Sequence, residues 1–400
     1  MDGKHKDLSK YGRDTVIEVD LDAIHHNIQQ FKQHLPVNTM IMVAVKANAY
    51  GHGAVLVSQA ALEAGANALG VAFVDEGIEL REAGIQAPVL VFGFTPSYAI
   101  ADALKHHLAL TVYDETNLLA IHEKAKELGI EATVHVKVDT GMGRLGLTPD
   151  QAIDFLEKVR ELPYVRLEGL FTHLATADEA GKTYMNYQLS SFDKVVKRAK
   201  EMGINIPIIH CANSAASIDA PNHAYNMVRI GISLYGLYPS QEVNRQKVQL
   251  KPALTFKSRI IHLKQPPKGT GISYGKTYVA RGDEWIATVP VGYADGFSRQ
   301  LSNSGFALVR GVKVPVVGRV CMDQLMLDVT NAMPVKVGDE VVFYGRQGEL
   351  EIHVDEVAAQ LNTINYEVTS MLSRRIPRIY LKNGQPVAIV NDLRRSNSFL

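Results

Sequence analysis

Two lysines, two histidines and two arginines in this 400-residue chain stand at or just beyond the ends of short apolar runs. Lys46 closes the run VAVK in VAVKANAYGHG, so its neighbours should be buried, and burying an ammonium is costly. A lysine that simply emerges into solvent satisfies that pattern. The other reading is a desolvated amine of lowered pKa that can form an imine, with Gly51 and Gly53 letting the next loop approach a ligand closely. Lys137, in VHVKVDTGMGRLG, alternates with Val136 and Val138, and an inward lysine needs a charge partner or a chemical modification. Arg144 follows in a glycine-flanked turn, either as a surface arginine or as a binder of carboxylate or phenolate. His173 in LFTHLATADE and His210 in IIHCANSAA end two further runs. A lone histidine is more often a satisfied core residue than a catalyst, but these two share their setting with the lysines. Asn213 and Ser214 add short polar donors, and Arg229 lies in MVRIGISLYG just before the backbone N–H groups of Gly231 and Ile232.

The elements that must position these groups alternate. Strand-like runs are expected at residues 40–45, 68–73, 89–92, 108–112, 133–138, 167–172, 206–210 and 227–230. Between them, residues 115–128, 149–162 and 186–202 carry apolar side chains at helical spacing. About eight βα units in this length are the signature of a TIM barrel, whose sites form at the C-terminal ends of the strands. A doubly wound sheet has the same periodicity, but no G-x-G-x-x-G turn follows the first strand. After the polar segment at residues 238–249 the pattern changes to alternating residues with close turns, as in WIATVPVGYADG and ALVRGVKVPVVGRV, followed by helices near residues 353–361 and up to residue 373. The expected architecture is an α/β TIM barrel over residues 12–245 followed by a mostly β C-terminal domain over residues 246–400, with which residues 1–20 could pack.

Composition narrows the function classes. Acidic and basic residues balance at 42 each, which gives no electrostatic reason to expect a nucleic acid or an anionic membrane as partner. No apolar run approaches the roughly 20 residues needed to span a bilayer, and the polar leader lacks an apolar signal core, so a cytoplasmic protein is expected. Two cysteines, Cys211 and Cys321, read as reduced thiols. No C-x-x-C or H-E-x-x-H motif is present and the histidines lack ligand-like spacing, so no metal site is expected. Loops after the last two barrel strands are the common phosphate site of this fold. A phosphate-bearing cofactor beside an imine-forming lysine implies pyridoxal phosphate.

Nine motifs in order, VKANAYGHG, VKVDTGMGRLG, HLATADE, HCANSAA, MVRIGISLYG, GISYGKTY, VGYADG, GRVCMDQ and TINYEV, together resemble bacterial alanine racemase along nearly the whole chain. The resemblance implies a pyridoxal-phosphate enzyme that interconverts L- and D-alanine and works as a head-to-tail homodimer with shared active sites. It implies that Lys46 binds the cofactor and is the base for the D-enantiomer, and that Tyr274, from the partner subunit, is the base for the L-enantiomer. A phenol of ordinary pKa near 10 is a poor base at neutral pH, and the resemblance supplies a link from the tyrosine through His210 to Arg229 that can lower it. Arg229 should face the pyridine nitrogen and, staying protonated, weaken the electron sink and suppress side reactions. The resemblance further gives the phosphate to Tyr50, Ser214, Gly231, Ile232 and Tyr366, with Asn213 nearby, and packs His173 against the ring. Arg144 and the backbone N–H of Met322 would hold the substrate carboxylate, with Asp323 in support. Lys137 resembles a lysine that becomes carbamylated, which would replace a cation beside Arg144 with an anion. Tyr366, Tyr293, Asp178 and Arg319 resemble entrance residues.

Two other readings share parts of this plan. A decarboxylase of the same two-domain type would place a carboxylate at the pyridine nitrogen, where this chain has Arg229. A non-catalytic pyridoxal-phosphate carrier would be a barrel alone, without the β domain and Tyr274.

Overall fold

The computed structural model describes residues 12–394. The charged leader, and with it part of the segment expected to pack with the C-terminal domain, lies outside the described residues. The chain divides into two compact units, one of residues 23–49 and 54–251, the other of residues 12–22, Tyr50–Gly53 and residues 252–394.

The first strand, β1 (Val16–Asp20), belongs to the second of these units. The eight strands that follow, β2 (Met40–Ala44), β3 (Ala68–Val71), β4 (Val89–Val91), β5 (Ala109–Val112), β6 (Ala132–Lys137), β7 (Val165–Phe171), β8 (Ile208–His210) and β9 (Met227–Ile230), close into a parallel barrel in sequence order. Alternate residues of each strand face inward, and Met42, Ala68, Leu90, Ala109 and Met227 form a dry plug with Met40, Phe92 and Ile208 around it. Gly70 leaves the room Phe92 needs, since a Cβ there would lie 2.1 Å from the Phe92 ring. Below the mouth, the barrel is therefore a packed core and not a pore.

Local signals set the element ends. Thr148 caps the helix Pro149–Glu161 with a reciprocal Gln151 box and a proline in its first turn, and Asp114 caps Glu115–Leu128, which ends on a left-handed Gly129. Most elements fall within two residues of the expected bounds, and two of the departures have a local cause. The helix expected at residues 186–202 begins earlier, at Thr183, because Met185 adds a buried position one turn before Leu189. β8 begins at Ile208 and not at residue 206, because Pro207 has no N–H to give to a ladder.

In the other unit β1 lies between β10 (Leu254–Arg259), to which it is antiparallel, and Arg378–Lys382, to which it is parallel. The sheet extends on one side through Glu340–Gln347, Phe306–Val309 and Val312–Pro315, and on the other through Gln385–Val390. A second sheet joins His262–Lys264, Ile286–Val289 and Leu325–Asp328. No helix among the described residues is long and apolar enough to cross a membrane.

Arg378 is the largest fully buried side chain of the described residues. Its guanidinium donates to the carbonyls of Gly51, Leu372, Ser373 and Ile376 at 2.7–3.2 Å, so backbone oxygens replace its lost hydration. Replacing it by leucine should strand those carbonyls in the interior and lower unfolding free energy by on the order of 3 kcal/mol or more, read as a fall in the urea midpoint at unchanged slope.

Candidate active site

Lys46 stands two residues beyond the apolar strand Met40–Ala44, and the backbone after it is unusual. Ala47, Asn48, Ala49 and Tyr50 have φ of 52°, 53°, 52° and 51°, a full turn of left-handed helix built from residues with side chains. Each L-residue in that conformation costs roughly 1–2 kcal/mol, least for asparagine, so the turn must be held from outside. It is held: Glu76 accepts from the N–H of Ala47 at 2.6 Å and of Ala72 at 2.7 Å, and the Asn48 side-chain Oδ1 accepts from the N–H of Ala54 at 3.0 Å. The result fixes the stem of Lys46 at the mouth of the barrel. Burial, with the nearby Arg144 cation adding to it, lowers the Lys46 pKa, against a partial opposing pull from Glu76.

Lys137 ends β6 with its ammonium 5.3 Å above the Phe171 ring, and it is 5% exposed. Burial and the Arg229 and Arg144 cations push its pKa down to about 8. Arg144 sits on the loop that follows. Asp139 shapes that loop, one carboxylate oxygen accepting from the N–H groups of Gly141, Met142 and Gly143 at 2.8–3.1 Å. Those bonds hold the Asp139 carboxyl below its ordinary range, outweighing its desolvation.

Arg229 projects from β9 into the barrel. It donates to His210 Nδ1 at 2.9 Å, His173 Nδ1 at 3.1 Å, and the carbonyls of Thr172 and Cys211 at 2.8 and 3.2 Å. Both histidines are held well below the ordinary histidine pKa by burial first and by Arg229 next, so both are neutral acceptors. Burial alone lowers the Arg229 pKa to about 10, which leaves it a cation at neutral pH. His210 lies flat on Phe171, with ring centroids 4.7 Å apart. Beside this group, Ser214 Oγ accepts from the N–H of Gly231 at 2.9 Å, and Asn213 caps the short turn Ser214–Asp219 by accepting from Ala216. The expected neighbourhood of Ser214 and Gly231 is therefore present.

Lys46, Lys137, Arg144 and Arg229 act on one another's charge states, and all four act on His173. The two carboxylates nearest them, Glu76 and Asp139, already accept backbone N–H groups. Such a mouth wants anions: the donor set suits a phosphate, a phenolate and a carboxylate.

In the second unit, Tyr274 is 71% exposed on the turn Tyr274–Lys276, after a Ser273 with φ of 66°. Ser273 Oγ donates to the Arg319 carbonyl at 2.6 Å, and the Tyr293 and Ala294 N–H groups donate to the Cys321 and Met322 carbonyls. Tyr274, Arg319, Met322 and Tyr293 thus sit on mutually bonded loops. Asp323 pairs with Arg375 at 2.8 Å, and Arg375 and Arg13 together neutralise the fully buried Asp295. Tyr50 and Tyr366 lie in the same unit with ring centroids 6.1 Å apart. Glu76, Asp139, His135 and Phe171 are absent from the sequence reading. Asp139 was open to detection as an aspartate opening a glycine-rich turn, and His135 by its alternation with Lys137; Glu76 leaves no local signal.

A TIM barrel with a lysine of depressed pKa, an anion-seeking mouth and an appended β unit defines a class of cofactor-dependent amino-acid enzymes. The match to known proteins narrows this. The alanine racemase N-terminal domain matches residues 19–239 and the alanine racemase C-terminal domain residues 253–380, and the chain belongs to the alanine racemase family. It is 48% identical to the alanine racemase of Desulforamulus reducens, over 91% of this chain and 98% of the relative, and 46% identical, with the same coverage, to that of Methanococcus maripaludis. Among solved structures it superposes on alanine racemase of Clostridium difficile 630 with a TM-score of 0.92 at 43% identity, covering 95% of this chain and 98% of the other. It also superposes on a histidine racemase of Leuconostoc mesenteroides with a TM-score of 0.85 at 29% identity, covering 95% and 100%.

The buried neutral histidines couple stability to pH. His135, His173 and His210 have folded-state pKa values below the ordinary value, so the unfolded chain binds more protons below about pH 6.5. The stabilisation is complete above that pH and is lost as pH falls through it. The urea midpoint should drop steadily between about pH 6.5 and pH 5, at up to roughly 1.4 kcal/mol per pH unit for each histidine; a flat profile contradicts the assignment.

Proposed function

We propose that this chain racemises alanine with pyridoxal phosphate held through Lys46, using Lys46 and Tyr274 of a second copy as the two bases. The observation that carries the reading is the convergence of four cations, two neutral histidines and Ser214 at one barrel mouth. When bound there, the cofactor supplies an electron sink that acidifies the α-C–H bond of the amino acid joined to it.

The chain's own residues do the rest. The Lys46 amine, its proton affinity reduced by burial and by Arg144, holds the cofactor and takes or returns a proton on one face. Ser214, Gly231 and Ile232 are the proposed phosphate ligands from the barrel, with Asn213 setting the turn that presents Ser214. Tyr50 and Tyr366 are proposed for the same group. Arg229 is proposed to face the pyridine nitrogen, to which it offers a hydrogen bond but no readily transferable proton. His173 would pack on the ring, and Arg144 with the Met322 N–H would orient the substrate carboxylate.

Lys137, with a pKa of about 8, is partly unprotonated near neutral pH and so able to add to carbon dioxide. The addition releases one proton and leaves a carbamate, an anion where three cations otherwise repel. Tyr274 is exposed on a braced turn, as suits a group offered to another subunit, so the proposed unit of function is a homodimer acting on a small molecule, with neither nucleic acid nor membrane as partner. The free thiols Cys211 and Cys321 support a cytoplasmic location. Supply of D-alanine for peptidoglycan and use of alanine in catabolism are both served by this reaction.

A chiral product assay over a panel of amino acids tests the substrate: D- and L-alanine should interconvert fastest. Lys46→Ala should lose both the cofactor's visible absorbance and racemisation. Tyr274→Phe should slow racemisation by about 10²–10⁴-fold while solvent exchange of the D-alanine α-hydrogen persists; full activity in Tyr274→Phe would refute the two-base scheme. Bicarbonate enriched in ¹³C should give a carbamate NMR signal that vanishes in Lys137→Ala.

A further inference from the structure

Arg229 is a buried cation whose bonded partners, two imidazoles and two carbonyls, carry no negative charge. The hydrogen bonds continue beyond the first imidazole. His210 Nε2 lies 3.0 Å from His135 Nδ1, and His135 Nε2 lies 3.1 Å from a carboxylate oxygen of Glu168. The other Glu168 oxygen is 3.0 Å from Arg166, and the hydrogen bond from His135 first, with Arg166 adding to it, holds the carboxyl below its ordinary range against its desolvation.

The ends of this chain determine every proton in it. Guanidinium only donates, and carboxylate only accepts. His135 therefore carries its proton on Nε2, leaving Nδ1 to accept from His210. His210 in turn carries its proton on Nε2, leaving Nδ1 to accept from Arg229, so neither ring nitrogen is left for the link to Tyr274 that the resemblance implies. Burial keeps both rings neutral, as this arrangement requires.

The fold is shaped to make the contact. β6 and β7 pair Val134 with Leu167 but His135 with Gly169, so Glu168 is an extra residue in a β-bulge, a device that re-aims a side chain. Gly169 clears the space for the ring, because a Cβ there would lie 2.1 Å from His135 Nδ1. Bulge and glycine both serve the same hydrogen bond.

We propose that Glu168 and His135 are positioning residues for racemisation: through one directional hydrogen-bond chain they fix the Nε2–H tautomer of His210, and so fix where and how Arg229 presents its remaining N–H edge. The proposal rests on the reading of Arg229 as the group facing the cofactor ring, and deepens it. Glu168 touches neither substrate nor cofactor and acts through three intervening side chains.

The test uses the full-length protein labelled with ¹⁵N-histidine, whose ring-nitrogen NMR shifts report tautomers near neutral pH, with steady-state kinetics beside it. In the unaltered protein His210 should be neutral with Nδ1 unprotonated. Glu168→Ala should mix the His210 tautomers and lower kcat about tenfold with KM within about twofold, and Glu168→Gln, which keeps an acceptor, should restore both readouts. A protonated or Nδ1–H His210 in the unaltered protein overturns the proposal even if every variant misfolds. An unchanged tautomer and kcat in folded Glu168→Ala overturns it equally. The expected tautomer in a protein without racemase activity would uphold the chain and defeat the functional reading instead.

Discussion

The site depends on a guanidinium withdrawn from water without a carboxylate bonded to it. An ion that loses its hydration must recover the energy from dipoles or from an opposite charge. For Arg229 the recovery comes from two carbonyls and two imidazoles whose lone pairs all point at it. Those acceptors sit at the ends of two adjoining barrel strands, β7 and β8, and Arg229 comes from the next, β9, so the closure of the barrel and the solvation of Arg229 are one requirement. The cation in turn keeps the surrounding histidines neutral, and it pushes Lys137 toward the range where an amine becomes nucleophilic. A neutral side chain in its place would weaken both effects together, leaving burial alone to sustain them.

Around it the mouth accumulates positive charge faster than the protein supplies negative charge. Glu76 and Asp139 are close, but each is committed to backbone N–H groups that shape a loop. Carboxylates thus serve as scaffolding here, while the cations are left for ligands. This division explains how an electrically balanced chain, with 42 acidic and 42 basic residues, forms a barrel mouth whose free donors are cations.

Much of this was legible in the sequence. The βα alternation gave the barrel because each strand is a run of apolar residues ending in a loop, and Lys46, Lys137, His210 and Arg229 were marked by standing at those ends. What stayed hidden shares a cause: it depends on backbone geometry that residue type does not encode. Nothing in KANAY announces a left-handed turn, since alanine is a strong former of the right-handed helix. Glu168 looked like an ordinary strand residue, because a bulge is visible only when two strands are paired. Gly169 and Gly70 matter for the rings they admit from neighbouring strands, a relation with no trace along the chain.

The place of β1 has a consequence for the order in which the protein can be made. Val16–Asp20 is bordered by β10 on one side and by Arg378–Lys382 on the other, strands that leave the ribosome only after the whole barrel sequence has emerged. All eight barrel strands lie between residues 40 and 230, so that core can close while synthesis continues. The first strand must wait with both its edges unpaired, and its alternation of buried and less buried residues gives it an edge that other chains could pair with in the meantime. A strand translated before the whole barrel is thus among the last elements to find its place.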